Sequence, residues 1–298
     1  MIYSEVLSEW FEHHMVEIEE STAYNYKKTL PYIKDALGGL EVEEITEHII
    51  YEYVQSLLHS TLAYSSTRVY CKVIKLSLRY AVRRGYLKFN PSDDVKMPKK
   101  IRAEIKVFQK EEIPLILSVD GPDWVKNGIV IAFRTGMRPS EIFALEWNDI
   151  NFQVGFISVQ RAISRANSKT KITKTPSGVR RIDIDTILIQ YLHSLYCKRN
   201  PYNKYVFPAP PRSKRDYRVP WNISNELHAM CDKAGIEYRN FYALRHTHAT
   251  LLLEMNVHPK IVQERLGHSD IKITMEIYSH VTPTIQQQAV TAMETIAM

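Results

Sequence analysis

The sequence predicts a mainly α-helical protein with a small antiparallel β-sheet, divided into a helical N-terminal domain and a mixed α/β C-terminal domain. Three observations predict it. Apolar residues recur at helical spacing in four runs through the first ninety residues. Asn90-Pro91 then breaks the pattern, and Asp93 to Lys106 is polar and aperiodic. Beyond it, three short β-like runs lie among further helical ones. The expected boundaries are a helical domain over 1–92, a linker over 93–106, and a mixed domain over 107–298 that ends in a helix. A chain of 298 residues accommodates both domains.

Each element has a local reason. Val6, Leu7, Trp10 and Phe11 define the first helix after Tyr3-Ser4. Ser21-Thr22 can cap a second, with Tyr24, Tyr26, Leu30, Tyr32 and Ile33, and Gly38-Gly39 stops it. Thr46 starts a third and Ser65-Ser66 a fourth, which ends before Gly85. In the second domain a helix from Trp124 to Arg134 ends at Gly136, and Pro139 suits the first turn of the next, Ser140 to Trp147. Arg138 therefore sits at a corner between helices, where a side chain can be aimed at a ligand. Phe156–Val159, Lys171–Lys174 and Val179–Ile184 read as strands, with Thr175-Pro176-Ser177-Gly178 as a hairpin turn between the last two. Helices follow at Thr186–Lys198, Trp221–Ala234, Tyr242–Met255 and Pro259–Leu266, then a segment carrying Tyr278 and a last helix over Pro283–Met298.

Composition narrows the function. Hydrophobic content of 45% with 24% charged residues is ordinary for a soluble globular protein. No apolar run is long enough to span a membrane, and the acidic N-terminus lacks the basic start of a secretory signal. Cys71, Cys197 and Cys231 are odd in number and far apart, so they form neither a disulfide framework nor a zinc site, and a reducing bacterial cytoplasm fits. The net charge of +6 is unevenly spread. Residues 1–50 hold 3 Lys/Arg against 11 Asp/Glu, residues 51–100 hold 10 against 3, and the remainder holds 26 against 19. An acidic start against a basic remainder suits a protein that grips a polyanion.

The chemistry concentrates in a few side chains. Cleaving a phosphodiester without a metal needs guanidiniums to neutralise the non-bridging oxygens, further donors, a nucleophile, and an acid for the departing oxygen. Arg138, Lys174, Arg245, His268 and Tyr278 supply these parts in order. Arg245 opens an apolar helix whose N-terminus itself favours anions. Taken singly, each has a plainer reading: Arg138 as a helix cap, Lys174 as a solvated turn lysine with Lys169 and Lys171 as rivals, Tyr278 as core. His246 and His248 look like a metal pair, but side chains two apart on a helix diverge, so joint coordination is not expected. The ordered set, not any one member, carries the signal.

These motifs resemble those of the tyrosine recombinases, the phage-type integrases. Thr135-Gly136-Met137-Arg138-Pro139-Ser140-Glu141-Ile142 is similar to the family's first box. Leu244 to Ala249 match its second, Leu266-Gly267-His268 its third, and Tyr278-Ser279-His280 the setting of its nucleophile. The first ninety residues are similar to the helical core-binding domain. One position departs: the second box's first histidine is replaced by Tyr242, a phenol that can donate to a phosphate oxygen but carries no positive charge. On chemistry alone Tyr242 is a rival nucleophile, and the family motif assigns that role to Tyr278.

The resemblance implies a site-specific recombinase that cuts and rejoins DNA through a 3′-phosphotyrosine link, without cofactor or metal. Arg138, Tyr242, Arg245 and His268 would hold the phosphate and Lys174 would protonate the leaving 5′-oxygen. It also implies that double-stranded DNA is clamped between the two domains, that four protomers assemble on two sites, and that accessory DNA-bending proteins assist. Integration or excision of a mobile element or prophage is the expected role. A non-catalytic DNA-binding relic and a type IB topoisomerase-like activity are the alternatives.

Overall fold

A computed structural model describes residues 1–96, 106–172 and 178–277, together with Glu294. The chain divides into two compact units, Met1–Ala103 and Glu104–Met298.

The first unit is built of helices α1 (Tyr3–His14), α2 (Glu20–Leu37), α3 (Glu47–His59) and α4 (Tyr64–Arg83). Each buries one stripe. Tyr3, Val6, Leu7 and Trp10 line α1, and Tyr26, Leu30, Ile33 and Leu37 line α2. They meet Ile50, Val54 and Leu57 of α3 and Val73, Ile74 and Leu78 of α4 in one core. The Tyr3 hydroxyl lies 2.7 Å from Ser77 Oγ inside it, so that buried polar pair is satisfied. Thr46 caps α3 as expected, accepting from the Ile49 N–H at 3.3 Å. The start of α2 differs from expectation. The helix begins at Glu20 without a side-chain cap, which places Ser21 and Thr22 in its first turn. The acidic Glu20 there suits the positive end of the helix.

The second unit contains α5 (Glu112–Ser118), α6 (Asp123–Thr135), α7 (Pro139–Ile142), α8 (Thr186–Lys198), α9 (Ile223–Ala234), α10 (Ala243–Glu254) and α11 (Pro259–Leu266). Its strands are β1 (Ile150–Asn151), β2 (Phe156–Val159), β3 (Arg161–Ile163), β4 (Thr170–Ile172) and β5 (Arg180–Asp183). Its core includes Ile129, Phe143, Ile157, Leu188, Phe207, Leu227 and Leu244. A satellite cluster of Ala249, Leu253, Val262, Leu266 and Ile277 joins α10, α11 and the helical residues 271–277.

Among the described residues the strands pair in a pattern that the sequence did not indicate. β2 pairs antiparallel with β1 and β5, and β3 pairs antiparallel with β4. The reversal lies between Ile163 and Thr170, where the Ser164 N–H donates to Lys169 O at 2.8 Å and Ser168 takes a positive φ of 55°. The register then shifts. Val159 faces Arg180 and Arg161 faces Ile172, so only Gln160 intervenes on the outgoing side while 173–179 intervene on the return. Lys174 and most of the expected turn, 175–177, lie outside the described residues.

The helix expected over Ser140 to Trp147 also stops early, at Ile142. There the backbone turns to a neighbour: Val206 N–H donates to Leu145 O at 3.0 Å and Trp147 N–H to Lys204 O at 2.9 Å. The expected helix over Pro283–Met298 lies, apart from Glu294, outside the described residues.

Trp10 is 2% exposed at the centre of the first unit. Trp10→Ala is expected to cost about 3–5 kcal/mol, read as a lowered urea midpoint.

Candidate active site

The site is assembled where the C-terminal end of α6, the start of α10 and the end of α11 converge. α6 ends at Gly136, in the left-handed region at φ +67°. Glycine is required there twice over. An L side chain strains at that φ, and a Cβ would lie 2.4 Å from Leu266 Cδ2 and 2.7 Å from His248 Cδ2. The sharp exit delivers Arg138 to the cap position of α7, with Pro139 in its first turn.

Arg138 is held from two sides. Its Nη1 donates to Glu141 Oε1 at 2.7 Å and its Nη2 to the Gly267 carbonyl at 2.9 Å. Glu141 is 2% exposed and shared. Arg180 Nη1 and Nη2 reach its two oxygens at 3.1 and 2.8 Å, and the Arg138 N–H donates to it at 2.9 Å. Burial pushes the Glu141 carboxyl up, but Arg180 first and Arg138 second outweigh it and hold it below the usual range. Arg180 Nε also donates to the Arg265 carbonyl at 2.8 Å.

Arg245 is only 2% exposed. Its Nη1 donates to the Gly136 carbonyl at 2.8 Å, while its Nε and Nη2 have no hydrogen-bond partner among the described residues. Burial, then the charge of Arg138, pull its guanidinium down to about 10, so it stays charged at neutral pH. A buried cation with two idle donors is costly unless an anion completes it. Tyr242 lies beside this arginine pair: its ring centroid is 5.9 Å from the Arg245 guanidinium carbon, and it is among the charges that raise the Arg138 guanidinium.

His268 follows the left-handed Gly267, at φ +70°. Its Nδ1 lies 2.9 Å from the buried Thr274 Oγ1. Burial, then Arg245 and Arg138, push its imidazole down to about 3, so it is uncharged at neutral pH. His246 stacks edge-on against Tyr242 with ring centroids 5.2 Å apart. His248 instead faces Arg265 and the α6 backbone, so the two histidines of the second box do not share a ligand.

The structure thus brings together Arg138, Tyr242, Arg245 and His268, four of the six residues expected from sequence. The other two, Lys174 and Tyr278, lie outside the described residues. Sequence reasoning missed Arg180 and Arg265 and read Glu141 only as part of a motif. Glu141 had a local signal, three residues after Arg138 across a helix start, whereas the two arginines meet the site only through tertiary contacts. The arrangement offers a phosphate-sized anion several converging donors against one carboxylate. Among the described residues no group of three or more His, Cys, Asp or Glu side chains is placed to hold a metal ion.

Residues 106–284 match the profile of the Phage integrase family, and residues 2–58 that of the Phage integrase N-terminal SAM-like domain. A tyrosine recombinase XerC-like protein of Caldanaerobacter subterraneus subsp. tengcongensis is 32% identical, over 89% of this chain and 74% of its own. The fold is similar to that of the Tn1549 transposon integrase solved with a circular intermediate DNA. The TM-score is 0.80 at 18% identity, covering 97% of this chain and 99% of that one. It is also similar to lambda integrase, solved as a tetramer on a Holliday junction, with a TM-score of 0.72 at 16% identity over 93% of this chain and 77% of that one.

Two outcomes follow from the geometry. Gly136→Ala should destabilise the protein by about 2–4 kcal/mol, combining left-handed strain with overpacking, as measured by chemical denaturation. Burial and then Arg265 push His248 down to about 4, and His268 sits at about 3. Both are neutral when folded but take up protons when unfolded near pH 6.5. Their contribution is complete above that pH and falls as the pH drops toward 4. By about pH 4.5 roughly 2 kcal/mol per histidine should be lost, and melting curves of His248→Gln against pH should be flatter than those of the wild type.

Proposed function

The chain belongs to the phage integrase family of tyrosine recombinases, enzymes of site-specific DNA recombination, and on that premise we propose how its own residues do the work. Arg138 and Arg245 clamp the non-bridging oxygens of one phosphodiester. His268 and Tyr242 donate further hydrogen bonds. The Tyr278 phenol attacks phosphorus, its proton passing to solvent as the new P–O bond forms. Lys174 gives a proton to the 5′-oxygen as the old P–O bond breaks. The 3′-phosphotyrosine keeps the energy of the bond, so a 5′-hydroxyl from another duplex can reverse the step without ATP.

The observation that carries this reading is the buried Arg245 guanidinium beside Arg138, with two donors unpaired among the described residues. Tyr242 fits it: a phenol beside the Arg245 guanidinium can donate to a phosphate oxygen without adding another cation to an already crowded cluster. Four protomers on two duplex sites in the bacterial cytoplasm, exchanging strands in pairs with DNA-bending helpers, complete the reading. Mobilisation of an integrated element is the biological role we assign. The transposon integrase of similar fold supports that choice.

The test begins with a pool of nicked duplexes carrying a randomised core. Wild type should form detergent-resistant protein–DNA adducts whose sequencing reveals the site. On that site Tyr278→Phe should form none, Tyr242→Phe should retain adducts at a reduced rate, and Arg245→Ala should lose about a hundredfold or more in rate. Wild type forming no adduct, or Tyr278→Phe forming one, sinks the assignment and favours a DNA-binding protein without strand cleavage or a different nucleophile.

A further inference from the structure

One half-buried cation in the second unit lies behind the phosphate-facing groups. Arg265, the residue before Leu266-Gly267-His268, uses all three of its guanidinium nitrogens. Nε donates to His248 Nε2 at 3.0 Å, Nη1 to Asp183 O at 2.8 Å and Nη2 to Arg134 O at 3.2 Å. His248 Nδ1 lies 2.8 Å from Phe133 O. A carbonyl only accepts and a guanidinium only donates, so His248 has one possible state. It is neutral, with its proton on Nδ1 and its lone pair on Nε2.

These contacts have a geometric consequence. Phe133 and Arg134 are in the last turn of α6, just ahead of Gly136 and Arg138. His248 ties α10 to that turn, and Arg265 ties α11 and β5 to it. The segments that present Arg138, Arg245 and His268 are thereby pinned to one another by two side chains that stand behind the cradle.

We propose that Arg265 and His248 are a positioning pair, which sets the spacing between the Arg138 corner and the Gly267-His268 corner of the phosphate site. The proposal rests on reading the arginine cradle as that site. Protonating His248 at Nε2 would remove the acceptor that Arg265 needs and set two cations face to face. The charges around the ring are Arg265 on α11 and Arg245 on its own helix, with Arg180 on β5 bonded to the Arg265 carbonyl. Asp183 and Asp185 flank Arg265 and ease its burial without touching His248. Acid therefore disables the pair before it affects the arginines themselves.

The test uses inorganic phosphate as the probe and the full chain as the protein. Nitrogen NMR of the His248 ring should show the Nδ1–H tautomer from about pH 7 down to about pH 5. Phosphate should raise the melting temperature of wild type, and Arg265→Gln should need on the order of tenfold more phosphate for the same rise. His248→Gln, whose amide oxygen can accept from Arg265, should keep the wild-type response and lose its acid sensitivity, whereas His248→Ala should behave like Arg265→Gln. A wild-type response shared by Arg265→Gln and His248→Ala overturns the pair while leaving the phosphate site intact. No phosphate response in wild type sinks the phosphate-site reading and this proposal with it. Should Arg265→Gln fail to fold, an Nε2–H or charged His248 at neutral pH, or equal responses in the two His248 variants, would still refute the pair.

Discussion

The site depends on guanidiniums held largely by backbone carbonyls, with Glu141 as the carboxylate they share. Arg245 rests on Gly136 O and Arg138 on Gly267 O, each at the end of a helix. Arg265 and His248 cap two further carbonyls of α6, and Arg180 caps one of α11. The helices exchange supports: cations from the end of α11 and from α10 brace the end of α6, and cations near the end of α6 and on β5 brace the end of α11. Helix C-termini carry unpaired carbonyls and partial negative charge, so they attract cations without neutralising them. A carboxylate in the same places would fix the arginines equally well and cancel the charge that the phosphate is to meet.

That choice sets the electrostatics. Glu141 is the carboxylate bonded in the cluster, and Arg180 takes both of its oxygens. Arg180 thus leaves Arg138 a net cation, although Arg138 also bonds Glu141. The surplus charge shows in its effect on neighbours. Burial and the arginines together hold His268 and His248 neutral and draw Arg245 down. An arriving phosphodiester would offset the burial of these charges and their mutual repulsion at once, and its charge would return proton affinity to His268. On the proposed reading, this cluster is a preorganised complement to an anionic transition state.

Much of this was legible in the sequence where the signal is local. Helices α8 and α11 and strand β2 fall where periodicity and capping place them, because each is decided by residues within a few positions. Gly136 reads as a helix end and Arg138 as a corner for the same reason. Helix α5, only seven residues long, carries too little periodicity to stand out. The hairpin turn between Ile163 and Thr170 was not foreseen because Ser164 to Lys169 looks less turn-like than Thr175-Pro176-Ser177-Gly178, and register is decided by pairing across the strands. Arg180 and Arg265 gave no signal, since what they do is defined by carbonyls and a carboxylate remote in sequence. The motif residues were legible as a set, and their supports were not.

The central claim is that Arg138 and Arg245 are preset to receive one phosphodiester. The most direct measurement is nitrogen NMR of the arginine side chains during titration with a dinucleotide that carries a single phosphodiester. The account predicts that the Arg245 and Arg138 Nε resonances move together and saturate, while that of Arg161, paired with Asp149 elsewhere in the unit, stays in place. Unmoved Arg245 and Arg138 resonances, or shifts spread evenly over the surface arginines, would contradict it.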